Sequence, residues 1–359
     1  MSPHPAASAR TVAACEVHGA GDLRVSRTDL PALAATDVRL RIHYGGICGS
    51  DLHYAVNGRN GDYAVREPLV LGHEVSGVVV ATGDAVRGVR LGERVTVHPA
   101  TPCPPPGEAA PTTLHLASDG RYLGSAARLP HTQGAFAELV DVRADQLRVL
   151  PDELPLRRAA LAEPLAVGLH AVGLLGDVTG QSVLVSGVGP IGQLAVLALR
   201  HRGAGRIVAT DLSSSALETA RAVGADETIL LDGLGGLPAR SVDAAIEASG
   251  APAALRGVIG AVADGGTIVQ LGILPPVELP MRFGELQTRE LAIRGSWRFD
   301  IELDEAVAVL NAHPEADAVI AREFPLAQAP EAFAFASDPA ASGKVLLRIG
   351  DPGDSADTD

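Results

Sequence analysis

A glycine-rich turn at residues 187–192 constrains the fold of this chain more than any other feature. It reads Gly-Val-Gly-Pro-Ile-Gly, follows a short apolar strand at 183–185 and precedes an apolar-rich helix at 193–202. Short apolar strands and helical patterns then alternate as far as Gly272, which predicts a doubly wound parallel sheet. The chain is therefore expected to be an α/β protein.

The same turn predicts a dinucleotide site. In such turns the first glycine allows a tight bend, the second lets the backbone approach a pyrophosphate, and the third lets helix and strand pack closely. The helix N-terminus stabilises the phosphate charge. Asp211 ends the next strand, can accept hydrogen bonds from both ribose hydroxyls and would repel a 2′-phosphate, so NAD is favoured over NADP. The alternative is an ordinary βα turn with a surface aspartate. The predicted cofactor-binding residues are Gly187, Gly189, Pro190, Ile191, Gly192 and Asp211.

A second polar stretch predicts a metal site. Residues 48–54 bring together a thiol, a hydroxyl, a carboxylate, an imidazole and a phenol. Cysteine, histidine and carboxylate are the usual zinc ligands, and a zinc site that does chemistry has three of them and one open position. Cys48 and His73 are the first two candidates. The third is Glu163, which is flanked by apolar residues, or Glu74, which either ligates or supports the ligands from outside.

Composition excludes several classes of protein. A net charge of −14 argues against nucleic-acid binding, which needs clustered Lys and Arg. No apolar run is long enough to span a bilayer, and the first ten residues lack the apolar core of a secretion signal. Three cysteines cannot form a disulfide framework, which suits a reducing cytosol, so a cytoplasmic location is expected.

The 359 residues favour two domains. Short alternating strands predict a small, mostly antiparallel β-barrel before the α/β part, and the last strand, near residue 345, is expected to rejoin it. The predicted domains are a catalytic domain at 11–164, to which residues 305–350 return, and a nucleotide-binding domain at 165–304. The tails, residues 1–10 and 351–359, are expected to be disordered.

Together these residues resemble the zinc-dependent medium-chain dehydrogenases over nearly the whole chain. The motifs occur in the family's order: Cys48-Gly49-Ser50-Asp51, Gly72-His73-Glu74, Glu163-Pro164 and the turn at 187–192. The resemblance implies a GroES-like β-barrel catalytic domain and a Rossmann domain. It also implies one catalytic zinc ion, with Glu74 or Glu163 exchanging with water in the remaining positions, and a homodimer or homotetramer.

Finer features point to the polyol (sorbitol) dehydrogenase branch. Glu163 stands where alcohol dehydrogenases carry cysteine, and Tyr54 and the run 295–299 also fit. Residues 122–126 and 130–136 resemble the L-idonate 5-dehydrogenase subfamily. The lobe that often holds a second, structural zinc has a single cysteine here, Cys103, so no structural zinc is expected.

The resemblance also implies roles for single residues. Ser50 and His53 would form a proton relay, with capping of the turn as the alternative. Tyr54 and Arg298 would bind substrate hydroxyls, with packing and a surface ion pair as the respective alternatives. The expected reaction is hydride transfer from a secondary hydroxyl of a sugar acid or polyol to NAD, with L-idonate oxidation to 5-ketogluconate as the leading expectation. The alternatives are a sorbitol or xylitol dehydrogenase, and a zinc-free nucleotide-binding protein with a structural or sensing role.

Overall fold

The computed structural model describes residues 10–101, 113–117, 120–231, 237–281, 283–338 and 341–350. The chain divides into two compact units. The first comprises Met1–Leu161, Glu323–Ser337 and Val345–Asp359, and the second Ala162–Arg322 and Asp338–Lys344. The two predicted disordered tails, apart from Arg10, and the lobe around Cys103 lie outside the described residues.

The strands within the described residues are β1 (Arg10–Gly19), β2 (Asp22–Leu30), β3 (Asp37–Gly46), β4 (Arg59–Asn60), β5 (Tyr63–Ala64), β6 (Leu69–Val70), β7 (Glu74–Thr82), β8 (Arg94–Val97), β9 (Ala100–Thr101), β10 (Arg121–Tyr122), β11 (Leu139–Arg143), β12 (Leu147–Val149), β13 (Ser182–Ser186), β14 (Arg206–Asp211), β15 (Glu227–Leu230), β16 (Val242–Glu247), β17 (Val262–Gln270), β18 (Ala292–Gly295), β19 (Ile320–Pro325) and β20 (Lys344–Arg348). The α-helices are α1 (Gly49–Asn57), α2 (Leu156–Ala159), α3 (Ala162–Leu175), α4 (Pro190–His201), α5 (Ser214–Ala222), α6 (Pro252–Ala261), α7 (Phe283–Thr288), α8 (Leu303–Ala312) and α9 (Ala329–Ala336). No α-helix in these ranges is both long enough and apolar enough to cross a membrane.

A seven-stranded sheet forms the frame of the first unit. Its order is β12-β8-β7-β3-β20-β19, and β11 also pairs with β3. Strand β3 pairs antiparallel with β7, β11 and β20. Its side chains alternate, because Val38, Leu40 and Ile42 are fully buried whereas Arg39 and Arg41 are half-buried. The predicted β-rich, mostly antiparallel domain is confirmed.

The run at 134–140 has the sequence pattern of a strand, but β11 begins only at Leu139. The amides of Gly134, Ala135 and Phe136 bond instead to the carbonyls of residues 70–72, outside any strand pairing. The Phe136 ring is fully buried in the core of the first unit. This segment therefore packs under the loop that precedes β7.

The second unit contains the predicted parallel sheet. Its six strands follow the order β15-β14-β13-β16-β17-β18, and every neighbouring pair is parallel. This is the doubly wound order of a Rossmann fold, in which the strand order reverses between β13 and β16. The predicted helix after the glycine turn begins earlier than expected, because Pro190 suits the first helical position.

Candidate functional site

Three potential metal ligands meet in the first unit. The ligand atoms of Cys48, His73 and Glu74 all lie within 4.8 Å of one another. Cys48 follows β3 and caps the N-terminus of α1, whereas Glu74 is the first residue of β7. Because Gly46 and Glu74 are paired between the two strands, the thiol and the carboxylate reach the same edge of the sheet.

This donor set fits a zinc ion. A thiol, an imidazole and a carboxylate are zinc's preferred ligand types, and three of them leave a fourth position open. His73 and Glu74 are buried, with 6% and 0% exposure, whereas Cys48 is half-buried, so the cluster is enclosed on one side only. The sulphur also lies at the positive end of the α1 dipole, which favours a ligand atom with negative charge.

Asp51 supports two of these residues, a role that the sequence did not reveal. Its fully buried carboxylate accepts the Cys48 amide through Oδ2 at 3.0 Å and the Gly72 amide through Oδ1 at 3.3 Å. Oδ1 also lies 3.8 Å from His73 Nδ1. One carboxylate thus connects the segment that carries the thiol to the segment that carries the imidazole.

Glycines provide the space for this packing. A Cβ at Gly46 would lie 2.2 Å from Glu74 Oε2, and a Cβ at Gly72 would lie 2.2 Å from the Phe136 ring. Gly72 also has a φ of 95°, which other residues rarely adopt. Gly45 and Gly46 lie within strand β3, so at these two positions the missing side chain provides space for neighbouring side chains.

The segment 121–136 packs against the metal cluster. The Tyr122 ring meets the His73 ring edge-on, with 5.5 Å between centroids. His131 is 5% exposed, and its Nδ1 lies 2.7 Å from the Arg128 carbonyl, so that nitrogen carries the proton. Its Nε2 accepts the Arg66 amide at 2.9 Å. The neutral imidazole therefore joins the segment to the chain before β6.

Gln133 forms a second connection to the same chain. Its Oε1 accepts the Val70 amide at 2.7 Å, and its Nε2 donates to the Pro68 carbonyl at 3.2 Å. Both His131 and Gln133 belong to the run that resembles the L-idonate 5-dehydrogenase subfamily. In this structure, both side chains bond to the backbone of residues 66–70, and His131 also bonds to the Arg128 carbonyl.

The other predicted residues of the first unit lie on α1. Ser50 is half-buried, and His53 is exposed with its Nδ1 3.3 Å from Asn60 Oδ1. Tyr54 is only 2% exposed, and its hydroxyl accepts the Ala126 amide at 3.0 Å. That hydroxyl retains its own proton for a further hydrogen bond.

In the second unit, the glycine turn has the predicted geometry. Gly187 has a φ of 85°, and a Cβ there would lie 2.6 Å from Ser249. A Cβ at Gly192 would lie 2.0 Å from the Gly187 carbonyl oxygen, whereas one at Gly189 would meet nothing within 4 Å. The first and third glycines therefore serve packing, and the second leaves an open face at the N-terminus of α4, where a phosphate could bind.

Asp211 connects the turn to the next strand. Its Oδ2 accepts the Val188 amide at 2.7 Å, and its Oδ1 accepts the Ser213 amide at 2.9 Å. Each oxygen keeps a further lone pair for a ribose hydroxyl. The carboxylate therefore shapes the turn in addition to its predicted contact with the cofactor.

A buried carboxylate organises the neighbouring loop. Glu247 ends β16 and is fully buried. Its Oε1 accepts the Ser249 amide at 2.8 Å and the Ser249 hydroxyl, and its Oε2 accepts the Gly250 amide at 3.0 Å and Gln270 Nε2. Because Ser249 abuts Gly187, Glu247 fixes the loop that lies against the glycine turn.

Two further predicted residues lie in the second unit. Glu163 is in the first turn of α3 and is 3% exposed. Arg298 has a φ of 55°, and its guanidinium lies 5.2 Å from the centroid of the Trp297 ring. The metal cluster that the first unit forms by itself contains Glu74 and not Glu163.

Two family models match the chain. The alcohol dehydrogenase GroES-like domain matches residues 34–152, and the zinc-binding dehydrogenase model matches residues 190–312. The first match lies within the first unit and the second within the second unit.

Individual proteins match over most of their length. Sorbitol dehydrogenase of Gallus gallus is 35% identical over 339 residues, covering 88% of this chain and 91% of the relative. The structure of L-idonate 5-dehydrogenase from Escherichia coli has a TM-score of 0.87 at 31% identity, covering 95% of this chain and 99% of the other. A putative zinc-binding dehydrogenase from Sinorhizobium meliloti, bound to NADP, has a TM-score of 0.83 at 30% identity, covering 95% and 100%.

Proposed function

This chain belongs to the zinc-dependent medium-chain dehydrogenases, in their polyol dehydrogenase branch, and we propose that it oxidises the C5 hydroxyl of L-idonate with NAD. The observation that carries the proposal is the cluster of Cys48, His73 and Glu74 within 4.8 Å. In the second unit, the open face at Gly189 and the neighbouring Asp211 support a nucleotide site.

The proposed metal ligands are Cys48 and His73, with Glu74 and Glu163 as the carboxylates that alternate with water. Bound zinc supplies a Lewis acid that lowers the pKa of the substrate hydroxyl. The hydroxyl proton then passes to half-buried Ser50 and on to exposed His53, whose ring faces Asn60. A bound nicotinamide would supply the acceptor for the hydride from the same carbon, so two electrons and one proton would leave the alcohol as hydride and the second proton would reach solvent through His53.

The proposed cofactor is NAD. Asp211 places a carboxylate at the end of β14, where it accepts ribose hydroxyls and repels a 2′-phosphate. The NADP bound to the Sinorhizobium meliloti protein makes NADP the alternative.

The substrate assignment rests on the sugar-acid carboxylate. Arg298, stacked on Trp297, is the proposed cation for that group. Tyr54 is the proposed donor to a substrate hydroxyl, through the phenol proton that remains after its oxygen accepts the Ala126 amide. The likeness to L-idonate 5-dehydrogenase supports a sugar acid, whereas the sorbitol dehydrogenase relatives favour the second candidate, a neutral polyol.

A substrate panel tests the assignment. L-idonate, sorbitol and xylitol are assayed with NAD and with NADP, and zinc is measured in the same preparation. The highest kcat/KM is expected for L-idonate with NAD, at about one zinc per chain. A preference for sorbitol would reject the sugar acid. Less than about half a zinc per chain together with no turnover would favour the zinc-free binding protein.

The two units are proposed to be the catalytic and nucleotide-binding domains. We also propose a homodimer or homotetramer, as the family resemblance implies, and light scattering of the purified chain tests this.

A further inference from the structure

The first unit contains a second candidate binding site, away from the metal cluster. It is a cavity of ≈ 590 Å³ lined by parts of β1, β2, β3, β11 and the chain after β19 and β20. Small-molecule sites commonly have volumes of this order. Arg41 lines the cavity and lies five residues before the end of β3, roughly 17 Å away along an extended strand.

The lining of the cavity carries positive charge. It includes three arginines, Arg27, Arg41 and Arg348, and one carboxylate, Glu138. Glu138 Oε2 accepts the Ala13 amide at 2.8 Å and lies 3.6 Å from Arg27 Nη1. Arg27 and Glu138 therefore offset each other, and two positive charges remain.

Those two charges have no hydrogen-bond or ion-pair partner among the residues that the structure describes, although both side chains are half-buried. Nearby carboxylates are already engaged. Asp141 receives two hydrogen bonds from Arg39, at 2.7 and 2.8 Å, and Glu323 is bonded to Arg157. Arg41 and Arg348 lose part of their hydration on burial, and no hydrogen bond or ion pair within the described residues replaces it.

We propose that this cavity binds a small dianion that bears a phosphate group, held by Arg41 and Arg348. A guanidinium presents a planar set of donors that matches a phosphate oxygen pair, and two of them neutralise a dianion. The overall charge of −14 does not concentrate anions near the protein, so affinity must come from these direct contacts.

Binding would act on the frame of the first unit. Arg41 belongs to β3 and Arg348 to β20, and these strands pair through Arg348 and Tyr44. A ligand that contacts both arginines would hold the two strands together, and a ligand that binds only the folded state raises the unfolding temperature.

The test uses the full chain and inorganic phosphate as the probe. Calorimetry and thermal unfolding are compared in phosphate and in sodium chloride of equal ionic strength. Saturable binding and a higher unfolding temperature are expected in phosphate alone. Arg41→Gln and Arg348→Gln should each raise the phosphate Kd by about tenfold or more. Because neither arginine has a described partner, both variants should unfold like the wild type without phosphate.

Arg256→Gln is the matched control, because Arg256 is exposed in the second unit and the variant loses the same charge. Absence of saturable binding to the wild type, or an equal loss in this control, would overturn the proposal.

The chain's own acidic segment, residues 351–359, is the rival occupant. Phosphate binding that appears only in a chain ending at Gly350 would assign the cavity to that segment, whereas equal binding in both chains supports the dianion site.

Discussion

At the scale of single residues, Asp51 shows how one buried carboxylate can set the geometry of a metal site. It accepts amides from both segments that supply ligands and makes a close approach to His73. Groups that orient ligands in this way commonly change metal affinity by about 10- to 100-fold when they are replaced.

Asp51→Asn should therefore weaken zinc binding by about 10- to 100-fold without unfolding the chain. The amide keeps the size of the carboxylate, but its NH₂ faces a backbone donor. Chelator competition measures the zinc affinity, and circular dichroism reports the fold. Asp62→Asn, at an exposed carboxylate, is the control. Equal zinc affinity in both variants would show that Asp51 serves only the turn.

Asp211 has two roles, which one substitution assayed with both NAD and NADP can separate. Asp211→Ala should raise the KM for NAD by about tenfold or more, because the ribose loses its charged acceptor. The KM for NADP should stay unchanged or fall, because the repulsion of the 2′-phosphate is removed. A parallel loss with both cofactors would mean that the carboxylate acts only through Val188 and Ser213.

At the scale of elements, the segment 121–136 is held to residues 66–70 by the side chains of His131 and Gln133. His131→Ala would remove the hydrogen bonds to the Arg66 amide and the Arg128 carbonyl. The expected cost is about 2–4 kcal/mol in the free energy of unfolding. Urea denaturation measures it. Leu129→Ala, at an exposed position of the same segment, should cost no more than about 0.5 kcal/mol.

The loop after β16 gives a second prediction at this scale, which rests on the proposed nucleotide site. Glu247→Gln replaces one accepting oxygen by a donor, so the Ser249 or the Gly250 contacts are lost. Because this loop abuts Gly187, the Kd for NAD should rise by about tenfold. Glu278→Gln is the exposed control. A lower unfolding temperature with an unchanged Kd would make Glu247 a structural residue only.

At the scale of the whole molecule, stability at acid pH depends on a half-buried carboxylate in the second unit. Glu302 directly precedes α8 and bonds to His170 on α3 at 2.8 Å. Burial by itself raises its pKa, but His170 and the Asp300 amide outweigh that effect and lower the pKa from 4.5 to about 2. The carboxylate thus stabilises the folded state above about pH 4.5, and this contribution is lost as the pH falls towards 2.

Glu302→Gln should therefore destabilise the second unit by at most about 3 kcal/mol at pH 7. About half or more of that difference should vanish at pH 3. The single tryptophan, Trp297, lies in this unit and reports its unfolding by fluorescence. Glu218→Gln provides an exposed control. An equal destabilisation at pH 7 and pH 3 would show that the ionised form contributes nothing.

The sequence by itself determined the fold class and the chemical types present at the site. Alternating strands and helices predicted the parallel sheet, and the spacing of Gly187, Gly189 and Gly192 predicted the turn, because both are local patterns along the chain. Cys48 and His73 were recognisable from their chemistry as candidate ligands.

Only the tertiary structure decided which side chains support that site. Asp51 and Gly72 are 21 residues apart and meet because β3 pairs with β7, and His131 reaches Arg66 across 65 residues. The bond between Glu247 and Gln270, and the presence of Arg41 and Arg348 in one cavity, likewise depend on how strands come together. Local periodicity indicates which elements form. Hydrogen bonds between distant residues depend instead on strand pairing and packing, which local patterns in one sequence do not reveal.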